Sequence, residues 1–173
     1  FTSKGTGVST LPDNDIRAIY QSSIDRKLWI STSNGIACYD YATRKINTVS
    51  LFKNRTGVRC IKEDAKGDLW LGTYGDGVVQ YQPAGARVIT NPLGFNPGIV
   101  TDLLINNDTV WLATRSYGII QFDTRRKNYK LYGESLIGSN DVRSLVRDIS
   151  GQLWFGTPKG IGSLNAATGE IKK

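Results

Sequence analysis

The chain has 173 residues, 39% hydrophobic and 21% charged, with 22 Lys and Arg against 15 Asp and Glu for a net charge of +7. That apolar share supports a packed core and excludes a disordered tail, and the length suits one domain. There is no His, no Met and only two Cys, which excludes a Ser-His-Asp triad, a Cys-His pair and His-ligated zinc, and leaves too few Cys for a four-ligand metal centre.

No apolar run reaches the roughly 20 residues of a membrane-spanning helix. The first residues lack the basic, apolar and small-residue parts of a signal peptide. The sequence opens on Phe1 rather than Met, so it reads as processed or cut from something longer. Arg125-Arg126-Lys127 is the densest basic cluster. No longer basic tract points to nucleic acid, and the excess reads as a solvated surface or an anion-facing patch.

Elements in chain order repeat four times. The first repeat predicts strands at Ile16-Arg17-Ala18-Ile19, Leu28-Trp29-Ile30-Ser31-Thr32, Gly35-Ile36-Ala37-Cys38-Tyr39 and, more weakly, Lys45 to Leu51. The second has Val58-Arg59-Cys60-Ile61, Leu69-Trp70-Leu71-Gly72-Thr73, Gly77-Val78-Val79-Gln80-Tyr81 and Ala86 to Thr90. The third has Val100-Thr101-Asp102-Leu103, Val110-Trp111-Leu112-Ala113-Thr114, Gly118-Ile119-Ile120-Gln121-Phe122 and Asn128 to Tyr132. The fourth has Val142-Arg143-Ser144-Leu145, Leu153-Trp154-Phe155-Gly156-Thr157, Gly160-Ile161-Gly162-Ser163-Leu164 and Gly169 to Lys173.

These segments are short, rich in Val, Ile, Tyr and Trp, and bounded by Gly, Asn, Asp and Pro, as strands are. Turns such as Asp64-Ala65-Lys66-Gly67-Asp68 and Asp148-Ile149-Ser150-Gly151-Gln152 suit hairpins, with Asp bonding backbone amides and Gly taking positive φ. Four strands per repeat of about 42 residues is the pattern of a β-propeller blade. The fold expected is all-β: one partial propeller over 1–173, with blades near 11–51, 52–92, 93–134 and 135–173. A blade cannot bury both faces alone, so Trp29, Trp70, Trp111 and Trp154 are expected in the core between blades.

The phrases Leu11-Pro12-Asp13-Asn14-Asp15-Ile16-Arg17, Asn140-Asp141-Val142-Arg143 and Asp148-x-x-Gly151-x-Leu153-Trp154-x-Gly156-Thr157 together resemble the two-component regulator propeller repeat. The resemblance extends over nearly the whole chain. It implies the periplasmic sensor region of hybrid two-component histidine kinases of the Bacteroidetes type. It further implies a non-catalytic, soluble segment of a membrane-anchored protein, and an oligosaccharide as ligand. Such propellers have roughly seven blades; this chain has about four repeats and none of the immunoglobulin-like, membrane or kinase parts. An open arc of four would expose apolar faces, and pairing of copies is expected to cover them.

The loops before the first strand and after the Trp strand should share one face at the channel mouth. They carry Ser33, Asn34, Tyr74, Asp76, Arg115, Tyr117, Pro158 and Lys159. Tyr74 and Tyr117 could stack on sugar faces, and Arg115 and Lys159 could pair with a carboxylate or sulfate. Arg17, Arg59 and Arg143 recur at one repeat position, replaced by Thr101 in the third; they suit an anionic ligand or a structural partner, such as a neighbouring blade's carboxylate or carbonyl. Asp15, Asp102 and Asp141 are the carboxylates that could converge for glycoside chemistry. Cys38 and Cys60 fall at positions that do not otherwise carry Cys and read as thiols, with one bridge as the alternative. No metal, cofactor or nucleic acid is expected. A protein-interaction scaffold and a carbohydrate-active enzyme are the rival readings.

Overall fold

A computed structural model describes residue 2, residues 10–49 and residues 56–173. The last residues of the expected segment Lys45 to Leu51, and the blade boundary near 51, lie outside the described residues.

Four antiparallel sheets follow one another, each a four-stranded meander in chain order. The first contains β1 (Ile16–Gln21), β2 (Lys27–Thr32), β3 (Gly35–Asp40) and β4 (Lys45–Val49). The second contains β5 (Val58–Glu63), β6 (Leu69–Thr73), β7 (Val78–Gln82) and β8 (Arg87–Thr90). The third contains β9 (Val100–Asn106), β10 (Thr109–Thr114), β11 (Ile119–Asp123) and β12 (Asn128–Tyr132). The fourth contains β13 (Ser144–Arg147), β14 (Leu153–Thr157), β15 (Gly160–Leu164) and β16 (Ile171–Lys172). A 3₁₀ turn at Pro83–Gly85 and a short helix, α1 (Glu134–Ile137), are the helical elements among the described residues. The first strands pack side by side, β1 on β5, β5 on β9 and β9 on β13, so they line the inner edge of an arc.

The recurring Thr and Gly have a shared cause. The hydroxyls of Thr32, Thr73, Thr114 and Thr157 donate to the carbonyls of Gly35, Gly77, Gly118 and Gly160 at 3.1, 2.8, 3.0 and 3.1 Å. Each bond closes the turn from second to third strand. Gly is required there: Gly77 has φ +70° and Gly118 φ +73°, a region that L side chains avoid. A Cβ at Gly77 would also meet Pro97 at 2.6 Å.

Three apolar layers separate the sheets. Trp29 packs with Ile61, Leu69 and Leu71; Trp70 with Leu103, Val110 and Leu112; Trp111 with Leu145, Leu153 and Phe155. Alternation along each strand sends one row into the preceding sheet and the next row into the following one. Linker residues Leu93 and Ile137 complete the second and third layers. Among the described residues no sheet follows Trp154, which is 37% exposed, while the other three Trp are buried. The four described sheets form an open arc.

Candidate functional site at the channel mouth

The recurring Arg position is set by a fault in pairing. Ile16 pairs Thr32 and Ala18 pairs Ser31, so Arg17 is the extra residue of a β-bulge. Arg59 is extra in the same way between Val58 and Cys60, and Thr101 between Val100 and Asp102. Arg143 stands just before β13, its N–H donating to the Gly156 carbonyl at 2.8 Å. Bulges re-aim side chains out of the alternating pattern, and these four positions fall at the start of successive inner strands, on one face of the arc.

Tyr74 joins two of them. The Arg59 guanidinium lies 4.8 Å from the Tyr74 ring centroid, and Arg17 lies 5.4 Å from it. Arg59 Nη1 also donates to the Tyr74 hydroxyl at 2.6 Å. The Tyr74 N–H donates to the Gly57 carbonyl at 3.0 Å, and the ring edge rests over Gly57, where a Cβ would stand 3.3 Å from Cδ2. Arg17 is neutralised by Asp15, two residues earlier in its own repeat. Gly57 occupies the matching place before Arg59. Among the described residues, Arg59 has no carboxylate within ion-pair distance, and its buried Nε–H has no hydrogen-bond partner.

Arg143 repeats the pattern of the first repeat. Its Nη2 and Nε donate to Asp141 Oδ2 at 3.1 and 3.4 Å. Arg115 Nε lies 3.9 Å from the other oxygen of Asp141. The mouth thus carries four guanidiniums, of which those of Arg17, Arg115 and Arg143 face the carboxylates of Asp15 and Asp141. Arg17 and Arg143 have their carboxylate partners within their own repeats, and Arg17 also reaches Tyr74 of the next sheet. Thr101 does reach the next sheet, its hydroxyl donating to the Val142 carbonyl at 2.5 Å.

The other expected residues are engaged in holding loops. Asp76 accepts the Thr56 hydroxyl. Asn34 donates to the Pro12 carbonyl at 3.3 Å, and the Ser33 N–H to Asp15 O at 3.0 Å. Lys159 Nζ donates to Glu134 Oε1 and the Gly138 carbonyl, each at 3.0 Å, which ties it to α1. Tyr117 makes an edge contact with Phe95 at 5.6 Å, and Phe95 meets Tyr129 at 4.8 Å. Asp102 accepts the Leu145 N–H at 2.8 Å and joins β9 to β13. Asp15, Asp102 and Asp141 thus each hold a partner of their own. Cys38 and Cys60 are buried free thiols, and burial pushes Cys60 up to about 12. Among the described residues no group of three or more Cys, Asp or Glu could hold a metal.

A cleft of about 490 Å³ opens at the opposite end, between the second and third sheets, lined by Asp64, Lys66, Trp70, Ile105, Asn107 and Arg125 among others. At the preceding junction Glu63 occupies the position of Ile105 and binds the Ser22–Ser23 turn. Ile105 offers no such bond.

The two component regulator propeller family matches residues 53–75 and 136–159. At these two segments the chain is similar to the two component regulator propeller repeat. Among solved structures, the chain superposes on the extracellular domain of a protein described as the hybrid two component system BT3049 from B. thetaiotaomicron. The TM-score is 0.85 at 19% identity, over 98% of this chain and 24% of that one. For the corresponding domain of BT4673 from the same organism the TM-score is 0.81 at 23% identity, over 99% and 26%. A catalytically inactive virginiamycin B lyase from Staphylococcus aureus, with one histidine replaced by alanine, gives 0.76 at 18%, over 94% and 57%. These likenesses establish the fold. The chain spans about a quarter of the length of the two B. thetaiotaomicron chains. No curated protein sequence matches the chain.

Proposed function

We infer that this chain is a ligand-binding arc of the periplasmic sensor region of a hybrid two-component system, and that its ligand is an oligosaccharide bearing an anionic group. The observation that carries the reading is Arg59: a guanidinium held over Tyr74 with no carboxylate among the described residues to neutralise it. Arg presents a planar fork that matches carboxylate and sulfate geometry, and Tyr74, 40% exposed, offers a ring edge to a sugar. The family match and the extracellular neighbours support the sensor role and its place outside the cytoplasm. No helix among the described residues is long and apolar enough to cross a membrane.

The segment acts by binding, not by catalysis. It has no His, whereas the S. aureus lyase with one histidine replaced is catalytically inactive. Signalling then requires that the ligand bind one arrangement of the sensor more tightly than another, since equal affinity shifts nothing.

Calorimetric titration with neutral, uronic and sulfated oligosaccharides tests the reading. Uronic or sulfated members should give saturable heat that weakens as salt rises and falls about tenfold or more in affinity with Arg59→Ala. Absence of heat from every member, or binding indifferent to Arg59→Ala, overturns it.

A further inference from the structure

The cleft between the second and third sheets belongs to the interior of the arc. Its lining runs from Asp64 to Arg125, and a further sheet stands beyond each of its walls. It opens because the side chain that crosses the first junction is changed at the second. Glu63, Ile105 and Arg147 hold one repeat position, five residues after Val58, Val100 and Val142. Glu63 reaches Ser22 and Ser23 and ties the first junction together. At the second junction Asp64 holds the place of Ser22, and a Glu opposite it would set two carboxylates side by side. Ile105 stands there instead, half-buried, on the apolar layer that contains Trp70 and Val110. At the third junction Arg147 turns back to the Gly151 carbonyl of its own hairpin at 3.2 Å.

The cleft has an apolar floor and a polar rim, and its volume of about 490 Å³ suits a small molecule. Two cations on the rim, Lys66 and Arg125, stand against two carboxylates, Asp64 and Asp108. The carboxylates are already spent. Asp64 Oδ1 accepts the N–H groups of Lys66 and Asp68 at 2.9 and 3.1 Å, and Oδ2 accepts the Trp70 indole at 3.0 Å. Asp108 Oδ2 lies 2.9 Å from Arg125 Nε. The cations are not spent. Among the described residues Lys66 has no carboxylate within ion-pair distance, and the two Nη groups of Arg125, on a side chain 78% exposed, have no partner. A second recess of about 500 Å³ adjoins through Asn107, Asp108 and Arg125 and adds Arg126. There Asp123 Oδ1 is taken by the N–H groups of Arg125 and Arg126. Unused N–H donors above an apolar floor match an anionic head on an apolar body. The even balance of charge on the rim suits one negative charge better than two.

We propose that this cleft is a second binding site, and that it takes a small carboxylate carried on an apolar ring. The ring rests on Ile105, and the carboxylate is held between Lys66 and the Arg125 fork. The site lies on the far side of the arc from Arg59 and does not rest on the oligosaccharide reading.

Nuclear magnetic resonance of the isotope-labelled full chain tests the proposal, with naphthalene-2-carboxylate as probe and naphthalene-2-carboxamide as its uncharged twin. The carboxylate should shift the amide signals of Lys66, Ile105, Asn107 and Arg125 saturably. The carboxamide should bind about tenfold more weakly. Lys66→Ala and Arg125→Ala, both on exposed turns, should each weaken the carboxylate about tenfold with circular dichroism unchanged. Arg125→Lys should weaken it less than Arg125→Ala. Arg59→Ala should leave it unaltered, which separates this site from the mouth. Equal binding of the two probes overturns the proposal, because apolar contact alone would then account for it. So do shifts centred on other residues, affinity indifferent to both Ala variants, or no shift at millimolar probe.

Discussion

The Asp148 carboxylate accepts the indole N–H of Trp154 at 2.8 Å. Its other oxygen accepts the N–H groups of Ser150 and Gln152 and the Ser150 hydroxyl, so one side chain fixes both the hairpin turn and the Trp six residues on. Asp64 repeats this with Lys66, Asp68 and Trp70, the indole bond at 3.0 Å. The spacing Asp-x-x-Gly-x-Leu-Trp is thus one mechanical unit.

Acid should loosen the fold through these turns. The Ser150 hydroxyl and the Trp154 indole hold Asp148 at about 2. Amide donors in the turns after β3 and β11 lower Asp40 and Asp123 as well. A carboxylate lowered on folding binds fewer protons folded than unfolded, so its stabilisation is complete above the ordinary value of about 4. It is lost as pH falls through the folded value. Urea midpoints measured from neutral pH down to about 2 should decline over the lowest two pH units. Asp148→Asn should make that decline shallower.

Asp64→Ala should cost about 1–3 kcal/mol, because it strips a buried indole N–H and two turn amides of their acceptor. Asp148→Ala should cost less, since Trp154 is part-exposed and water can replace the lost bond. Equal losses in denaturant titrations would contradict this account of the turn.

The four tryptophans should separate into two classes. Trp70→Ala empties a layer closed on both sides and should cost about 3–5 kcal/mol. Trp154→Ala should cost about 1 kcal/mol. Chemical denaturation of both variants checks the ranking.

Glu63 ties two sheets together. It accepts the Ser22 hydroxyl at 2.7 Å and the Ser23 N–H and hydroxyl at 2.8 and 2.9 Å. Charge-assisted bonds of this kind contribute about 1.5–3 kcal/mol. Glu63→Ala should destabilise by an amount in that range, and a double-mutant cycle with Ser22→Ala should show coupling. Additive losses would mean that the bonds do not carry the contact.

The thiols should be inert in the native chain. Burial raises both Cys38 and Cys60, the latter to about 12, and the thiolate is the reactive form. A thiol-specific reagent at mildly alkaline pH should label neither residue until denaturant is added, and both afterwards. Rapid native labelling of Cys60 would refute its placement against Gly72 and Val100.

Most of the fold could be read from the chain because each strand carries its own short signal. The Trp spacing set the period, and the Thr and Gly phrases marked the turns they close. The bulge at Arg17, Arg59 and Thr101 was not legible, since a one-residue slip in pairing leaves residue types unchanged. The contact of Arg59 with Tyr74 was also hidden: the two come from different phrases that only the β5–β6 hairpin brings together. The tie of Lys159 to α1 was hidden as well, because a four-residue helix has no periodicity to announce it. The exposure of Trp154 follows from its place at the end of the arc, which a local phrase so similar to its siblings cannot encode.

The shape of the fourth sheet bears on how the chain comes apart. β13 has four residues and β16 two, and one flank of this sheet faces solvent. In a row of near-identical units, each held by its neighbours, opening begins where a neighbour is lacking. Amide protons of β13 to β16 should exchange first and those of β5 to β11 last. Anything that caps the fourth sheet would then slow exchange progressively inward, far from the point it touches.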